Sequence, residues 1–353
     1  MGLLISRARV RLSDPGRLAE ILIEHLGEHD IPFEAHERGA AFELGAGRGS
    51  FDVEDGALAL LVEAEDLAAL ENLRAVVAEH VVAFADDEAP VIEWIGHVNV
   101  SGEFTNFREA TLARARDVAP RMRRLTFRGD VARFFSPSDL HVRMYFPPLG
   151  VERPQWPRQS ADGRAVWPPD DLSPAVRYYT VRGFDAEAGE LDVDFVMHDD
   201  PGPGAAFAAQ ARPGALVGIA GPFGRAAPQA DFLQFYGDET AIPAIARMLE
   251  AAAPGTRGEI VIEAGVAGFQ SLIVPPGGFE LRWLSPAGPP GAALVAAAKA
   301  ARPPRDESFI WAACEATAAK EIRRFLRAER GIGHERQLVT AYWRRDSHEG
   351  DAS

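Results

Sequence analysis

Apolar positions change their spacing twice along the chain, and each change marks a different kind of element. In residues 17–29 (RLAEILIEHLGEH), Leu18, Ile21, Leu22 and Leu26 fall on one face of a helix. Short strand-like runs follow, PFEAHE, AAFELG, GSFDVE and ALALLVEA, separated by turn signals such as Glu54-Asp55-Gly56. The spacing predicts a second helix over 66–84, opened by Asp66 as N-cap, with Leu67, Leu70, Leu73, Val77 and Val81 on its buried stripe. The strand VIEWIG closes this compact α+β module, in which no catalytic pattern stands out.

Residues 101–226 then alternate with period two, at Leu125/Phe127, Val142/Met144/Phe146 and Leu191/Val193/Phe195, followed by a shorter run at Ala215-Leu216-Val217. Many short strands with turn residues between them predict an antiparallel barrel, and the polar, proline-bearing stretch 147–176 reads as a loop. From about residue 231 the rhythm becomes strand–helix–strand. FLQFY leads to a helix from Thr240, EIVIEA to a loop, LRWLS to a helix near 291–301, and FIWAA to a helix near 315–330, before a last strand QLVTAYW. Apolar runs alternating with helices predict a doubly wound, mostly parallel sheet. The fold class is therefore multidomain α+β and α/β, with boundaries expected at 1–100, 101–226 and 227–353.

Charge sharpens that division. The first 100 residues hold 20 Asp/Glu against 7 Lys/Arg, and the other 253 hold 32 against 30. An acidic piece joined to a near-neutral remainder argues for separately built units, and against nucleic acid as a partner, since phosphate neutralisation needs clustered basic surface. One cysteine in 353 residues excludes a disulfide framework and a cysteine-built zinc site. With no apolar stretch of spanning length and no secretory pattern at the start, no membrane insertion is expected and a cytoplasmic location is the default. His25 and His29 stand four apart beside Glu28, yet no further ligand accompanies them, so no metal site is expected.

Four constellations remain. Arg177-Tyr178-Tyr179-Thr180-Val181-Arg182 in a strand puts Arg177, Tyr179 and Val181 on one face and Tyr178, Thr180 and Arg182 on the other. That strand either pairs a phosphate and stacks a ring, or is an edge strand with ordinary aromatic pairs. Asp194-Phe195-Val196-Met197-His198 runs into Gly202-Pro203-Gly204-Ala205 and Phe207, where a helix start offers free N–H groups to a diphosphate, unless it is a plain turn. Gly237-Asp238-Glu239-Thr240 follows a buried strand at the sheet edge where ligands bind, and its carboxylates also suit a helix dipole. Trp311-Ala312-Ala313-Cys314-Glu315 lies at the same edge, and Tyr342-Trp343 is either core or an aromatic wall near a ring. A lone cysteine so placed is more often a small buried apolar residue than a reactive one.

Taken in order, these motifs make residues 105–345 resemble the siderophore-interacting protein family, the flavin-dependent ferric-siderophore reductases. The matching residues are Arg-x-Tyr-Thr-x-Arg at 177–182, Asp-Phe-Val-x-His at 194–198, Gly-Asp-Glu-Thr-Ala-x-Pro-Ala at 237–244, Trp-Ala-Ala-x-Glu-Ala at 311–316, and Tyr342-Trp343. Residues 1–100 separately resemble a short bacterial domain of unknown function. The resemblance implies an antiparallel Greek-key FAD-binding barrel followed by a domain for NADPH or NADH. It implies that Arg177 pairs an FAD phosphate, that Tyr179 contacts the flavin with Val181 and Arg182 on the same strand, and that Thr180 sits near the flavin N5. Asp194, Val196 and His198 would line the flavin and adenosine side, and Gly202, Pro203, Gly204, Ala205 and Phe207 the diphosphate side. Gly237, Asp238, Glu239, Thr240, Trp311 and Glu315 would form the nicotinamide side, Tyr342 and Trp343 would be further cofactor contacts, and Cys314 beside the ring would be a catalytic residue together with Thr180.

Three positions depart from the family: Ala205 replaces Ser or Thr, Phe207 replaces Trp, and Cys314 replaces Gly. The implied partner is a ferric siderophore, drawn by Arg121, Arg123 and Arg124 if they form a basic patch rather than a solvated strand face. The implied activity is NAD(P)H-dependent ferric-siderophore reduction. Alternatives are a general flavin-linked reductase of ferric chelates or quinones, and a non-catalytic siderophore or flavin binder.

Overall fold

The computed structural model describes residues 2–28, 31–45, 47–85, 88–99, 101–130, 135, 139–199, 201–224, 228–265, 267–302 and 308–345. The chain divides into two compact units, one of residues 1–107 with 150–173, the other of 108–149 with 174–353.

In the first unit the elements run β1 (Leu4–Arg11), α1 (Pro15–Glu28), β2 (Phe33–His36), β3 (Gly39–Leu44), β4 (Gly47–Glu54), β5 (Ala57–Ala64), α2 (Leu67–Phe84) and β6 (Ile95–Gly96). They build one sheet in the order β2-β3-β4-β5-β1-β6, whose described pairings are antiparallel. Asp66 caps α2 by accepting from the Ala69 amide at 2.9 Å, as its sequence position predicts. Strand β1 is absent from the periodicity reading: its inward positions are Ser6, Ala8 and Val10, alternating with Arg7, Arg9 and Arg11. The VIEWIG segment shrinks to the two residues of β6. His25 packs its ring against His80 at 4.8 Å and Phe84 at 4.9 Å, an aromatic contact over the core, while His29 lies outside the described residues.

The 147–176 stretch, read from sequence as a loop, carries a small hairpin of Arg158–Gln159 with Ala165–Val166, and residues 150–173 belong to this first unit. Trp94 donates its indole N–H to the Asp162 carbonyl at 2.7 Å, the Gln159 amide bonds the Gly102 carbonyl at 2.9 Å, and Gly163 nests against Arg74 of α2. Glu71, buried on α2, accepts from Asn99 Nδ2 and from both the amide and the hydroxyl of Thr105. Polar side chains of α2 thus hold segments that the apolar pattern leaves unassigned.

The second unit begins with six strands: β7 (Phe107–Ala119), β8 (Met122–Arg128), β9 (His141–Phe146), β10 (Ala175–Asp185), β11 (Glu190–Val196) and β12 (Leu216–Phe223), with α3 (Pro203–Gln210) between the last two. They close into a barrel in the order β10-β11-β8-β7-β12-β9. Leu125, Phe127, Val142, Met144, Phe146, Leu191, Val193 and Phe195 fill its interior, the residues whose alternation predicts the strands. Five parallel strands follow: β13 (Phe232–Asp238), β14 (Arg257–Glu263), β15 (Phe279–Leu284), β16 (Ser308–Glu315) and β17 (Gln337–Trp343), ordered β15-β14-β13-β16-β17. Helices α4 (Ile242–Glu250), α5 (Ala292–Ala300) and α6 (Ala316–Arg324) cover the two faces. The strand order reverses between β13 and β16, so their carboxyl ends form the switch point at which open α/β sheets bind ligands.

Candidate functional site

Strand β10 alternates as its sequence predicts. Tyr178 points outward, where its hydroxyl and ring meet the Arg143 guanidinium. Tyr179 turns to the barrel, its ring 4.3 Å from that of Phe195, and burial pushes its phenol pKa up. Its hydroxyl lies over Gly204, where an added Cβ would come within 1.9 Å of the phenol oxygen, so only glycine admits this approach. Gly204 belongs to the first turn of α3, whose N-cap Gly202 supplies no side-chain cap and whose first helical residue is Pro203. An added Cβ on Gly202 would meet nothing within 4 Å, so this helix start faces open space. Arg177, two residues before Tyr179 on the same face, is half-buried and bonds the Val176 carbonyl at 2.7 Å. The guanidinium strand and an uncapped helix N-terminus are therefore brought together, a cradle that fits a diphosphate-bearing cofactor. Ala205 is buried there, and Phe207 joins the barrel aromatics Phe127 and Phe146.

The residues expected beside this cradle separate. Asp194 is committed to Arg124 through two hydrogen bonds of 2.6 and 2.8 Å, and both are withdrawn from solvent. The bond to Asp194 raises the Arg124 pKa. Arg124 therefore takes no part in a surface patch for an anionic chelate, because its charge is spent inside the structure; this corrects the sequence expectation. Arg121 pairs with exposed Asp199 at 2.7 Å, and Arg123 lies 3.5 Å from Asp117. His198 is exposed and Val196 half-buried. Arg182 is drawn to α4, where it forms a two-pronged ion pair with Glu250, and the neighbouring Val181 carbonyl accepts from buried Arg247 at 3.0 Å. These two contacts tie the barrel to the parallel-sheet domain.

At the sheet edge, carboxylates cap the turns that follow the strands. Asp238 accepts from the Thr240 amide at 2.9 Å, Glu263 from the Gly291 and Leu294 amides, and Glu315 from the Thr317 and Ala318 amides. Burial pushes the Asp238 carboxyl up, and burial together with Asp238 and Glu263 pushes half-buried Glu239 up. Gly237 is glycine because an added Cβ would sit 2.5 Å from the Ala241 side chain, a packing requirement of the turn onto α4. Trp311 is buried against Phe235 and Tyr342.

Cys314 has no exposed surface and packs with Tyr236, Leu294 and Ile322 on the α5/α6 side of the sheet. Burial first, then the charges of Asp238, Glu315 and Glu263, push its thiol pKa up. The residue expected beside a nicotinamide ring is a fully buried thiol that packs the sheet. In the native protein a thiol reagent such as dithionitrobenzoate will label Cys314 about a hundredfold more slowly than after unfolding in guanidinium. Labelling at comparable rates would place the thiol in the crevice instead.

One residue that the sequence motifs missed completes the site. His141 opens β9 and stands directly opposite Thr180 of β10 in the antiparallel register. Its Nε2 lies 2.5 Å from the Tyr342 hydroxyl, which Thr180 also meets through its own hydroxyl. The next residue, Trp343, donates its indole N–H to Asp238 at 2.7 Å. Thr180, His141 and Tyr342 thus form one hydrogen-bonded group and Trp343, Asp238 and Thr240 another, adjoined at the Tyr342–Trp343 step of β17, where the barrel meets the switch point of the sheet. Burial, and then the charge of Arg247, hold the His141 pKa down to about 4. A single histidine heading an apolar strand gives no warning of this, because its partners lie on β10 and β17.

Among the described residues, no group of three or more His, Cys, Asp or Glu is arranged to hold a metal, and no helix is long and apolar enough to cross a membrane. Comparison with known proteins gives the family of each part of the chain. Residues 111–226 match the siderophore-interacting FAD-binding domain, residues 230–346 the siderophore-interacting protein domain, and residues 7–95 a domain described as an uncharacterised protein conserved in bacteria. The chain is 29% identical to the ferric vibriobactin reductase of Vibrio cholerae over 214 residues, covering 59% of this chain and 78% of that protein. It is 28% identical to the NADPH-dependent ferric-chelate reductase of Escherichia coli over 249 residues, 67% of this chain and 92% of that one. The solved structure of a siderophore utilization protein from T. fusca superposes with a TM-score of 0.58 at 32% identity, covering 69% of this chain and 95% of that chain. The chain, with its FAD-binding domain at residues 111–226, belongs to the siderophore-interacting protein family of flavin-dependent reductases.

Proposed function

We propose that this protein uses NADPH or NADH to reduce a ferric siderophore, releasing ferrous iron. One observation carries the reading: β10, which bears Arg177, presents Tyr179 to an uncapped helix start and Thr180 to the carboxyl end of a parallel sheet. A flavin across that strand would have its diphosphate at Gly202–Ala205 and its reactive edge at Thr180. Bound there, FAD supplies the conversion of a two-electron hydride donor into single electrons for Fe(III), whose hold on hard oxygen ligands weakens on reduction.

The chain's own residues bind and orient. Arg177 and the free N–H groups of α3 neutralise phosphate charge, while Tyr179 and Gly204 set the depth of the cradle. Asp238, through Thr240 and Trp343, shapes the edge that a nicotinamide approaches. The acidic caps at that edge leave the donor to be held by shape more than by phosphate pairing. Arg121 and Arg123 remain at the surface for an anionic chelate, each beside an aspartate that moderates its charge.

The purified protein should develop a bound flavin spectrum on addition of FAD, and NADPH or NADH should bleach it without oxygen. A ferric siderophore should then restore the oxidised spectrum with two iron atoms reduced per flavin. Absence of bound flavin, or flavin that neither nucleotide reduces, would remove the reading.

A further inference from the structure

We propose that His141 is a positioning residue that fixes the direction of a hydrogen-bond chain from Thr180 through Tyr342, so that Thr180 meets the flavin as an acceptor. The inference rests on the reading that FAD lies against β10. Thr180 and His141 are opposite each other on neighbouring strands, and both reach the phenol oxygen of Tyr342 from β17.

That oxygen carries one proton, and two arrangements are possible: Thr180 to Tyr342 to His141, or the reverse. A phenol is a stronger acid than an alcohol, and an imidazole nitrogen a stronger base than an alcohol oxygen, so the phenol proton goes to Nε2. The Thr180 hydroxyl then donates to the phenol oxygen. Burial and Arg247 disfavour the protonated ring, which would donate at Nε2; in the neutral ring, accepting the phenol proton puts the ring's own proton on Nδ1. With its proton spent on Tyr342, the Thr180 oxygen has only lone pairs left for a ligand. The N5 position of a flavin accepts a hydrogen bond when oxidised and donates one when reduced. A fixed acceptor at Thr180 therefore favours the reduced form, raising the potential at which nicotinamide can load the protein.

Two measurements test this. In the cofactor-free protein, 15N spectra of the imidazole should show His141 protonated at Nδ1 with a bare Nε2; a proton on Nε2 would overturn the chain direction whether or not flavin binds. In the FAD-loaded protein, His141→Leu should lower the preference for reduced over oxidised flavin about tenfold, about 30 mV for a two-electron couple. His141→Gln, whose amide oxygen can accept from Tyr342, should keep the wild-type potential and serves if the leucine variant does not fold. In a Thr180→Val background, His141→Leu should produce no further shift. An equal shift with and without the Thr180 hydroxyl would show that His141 acts by another route and would sink the proposal. Failure of the wild-type protein to bind FAD would instead remove the flavin reading and leave the tautomer result standing.

Discussion

Replacing Arg124 with alanine should cost the second unit about 3–5 kcal/mol, because it strands the Asp194 carboxylate inside the barrel wall without a counter-ion. The Asp194 side chain is only 2% exposed and that of Arg124 only 15%, so water cannot take over the lost partner. Arg121→Ala removes an ion pair whose aspartate is 95% exposed, and should change stability by less than about 1 kcal/mol. Urea unfolding of the two variants separates the cases. Replacing both Arg124 and Asp194 by leucine should recover most of the loss, since it removes the stranded charge as well as the bond. Equal effects of Arg124→Ala and Arg121→Ala would mean that Arg124 is a surface charge after all.

Acid should weaken the same unit through His141. Its folded pKa, about 4, lies below the ordinary histidine value of 6.5, so the unfolded chain binds the proton more readily. Stability falls as pH drops below 6.5 and stops falling near 4, where both states are protonated. Between pH 7.5 and pH 5 the contribution is a loss of about 2 kcal/mol. The raised carboxyls of Asp238 and Glu239 work in the opposite sense, gaining stability as they take up protons. The effect is therefore read as the difference between wild type and His141→Gln in denaturant midpoints at the two pH values. A variant with the wild-type slope would show that His141 titrates normally in the native protein.

The barrel and the parallel sheet were legible in the sequence because their cores are written in spacing. Phe127, Met144 and Phe195 repeat every second residue with their neighbours, and apolar strands such as FIWAA alternate with helices. The strand carrying Arg177 and Tyr179 and the Gly-Pro-Gly helix start were legible for a related reason: each has a local chemical signature. What stayed hidden depends on pairing across strands. Nothing local distinguishes Arg124, bound to Asp194 across the β8–β11 register, from Arg121 in the solvent. His141 acquires its meaning only from β10 and β17. Strand β1 escaped because it buries Ser6 and Ala8 between arginines, a period-two pattern too weakly apolar to register. Cys314 looked suggestive at a strand end, but the alternation of β16 turns it toward α5 and α6, away from Trp311 and Ala313.

The membership of residues 150–173 in the first unit reaches back to biosynthesis. On the ribosome, Trp94 and Arg74 emerge well before the hairpin that they hold, so the N-terminal unit stays incomplete until residue 173 has left the exit tunnel. By then β7, β8 and β9 have also emerged, waiting for β10. At about 5–20 residues per second this leaves several seconds in which two half-built units coexist. Cutting the gene at codon 100 would not release an intact reductase core; it would leave a 24-residue span with its native partners deleted.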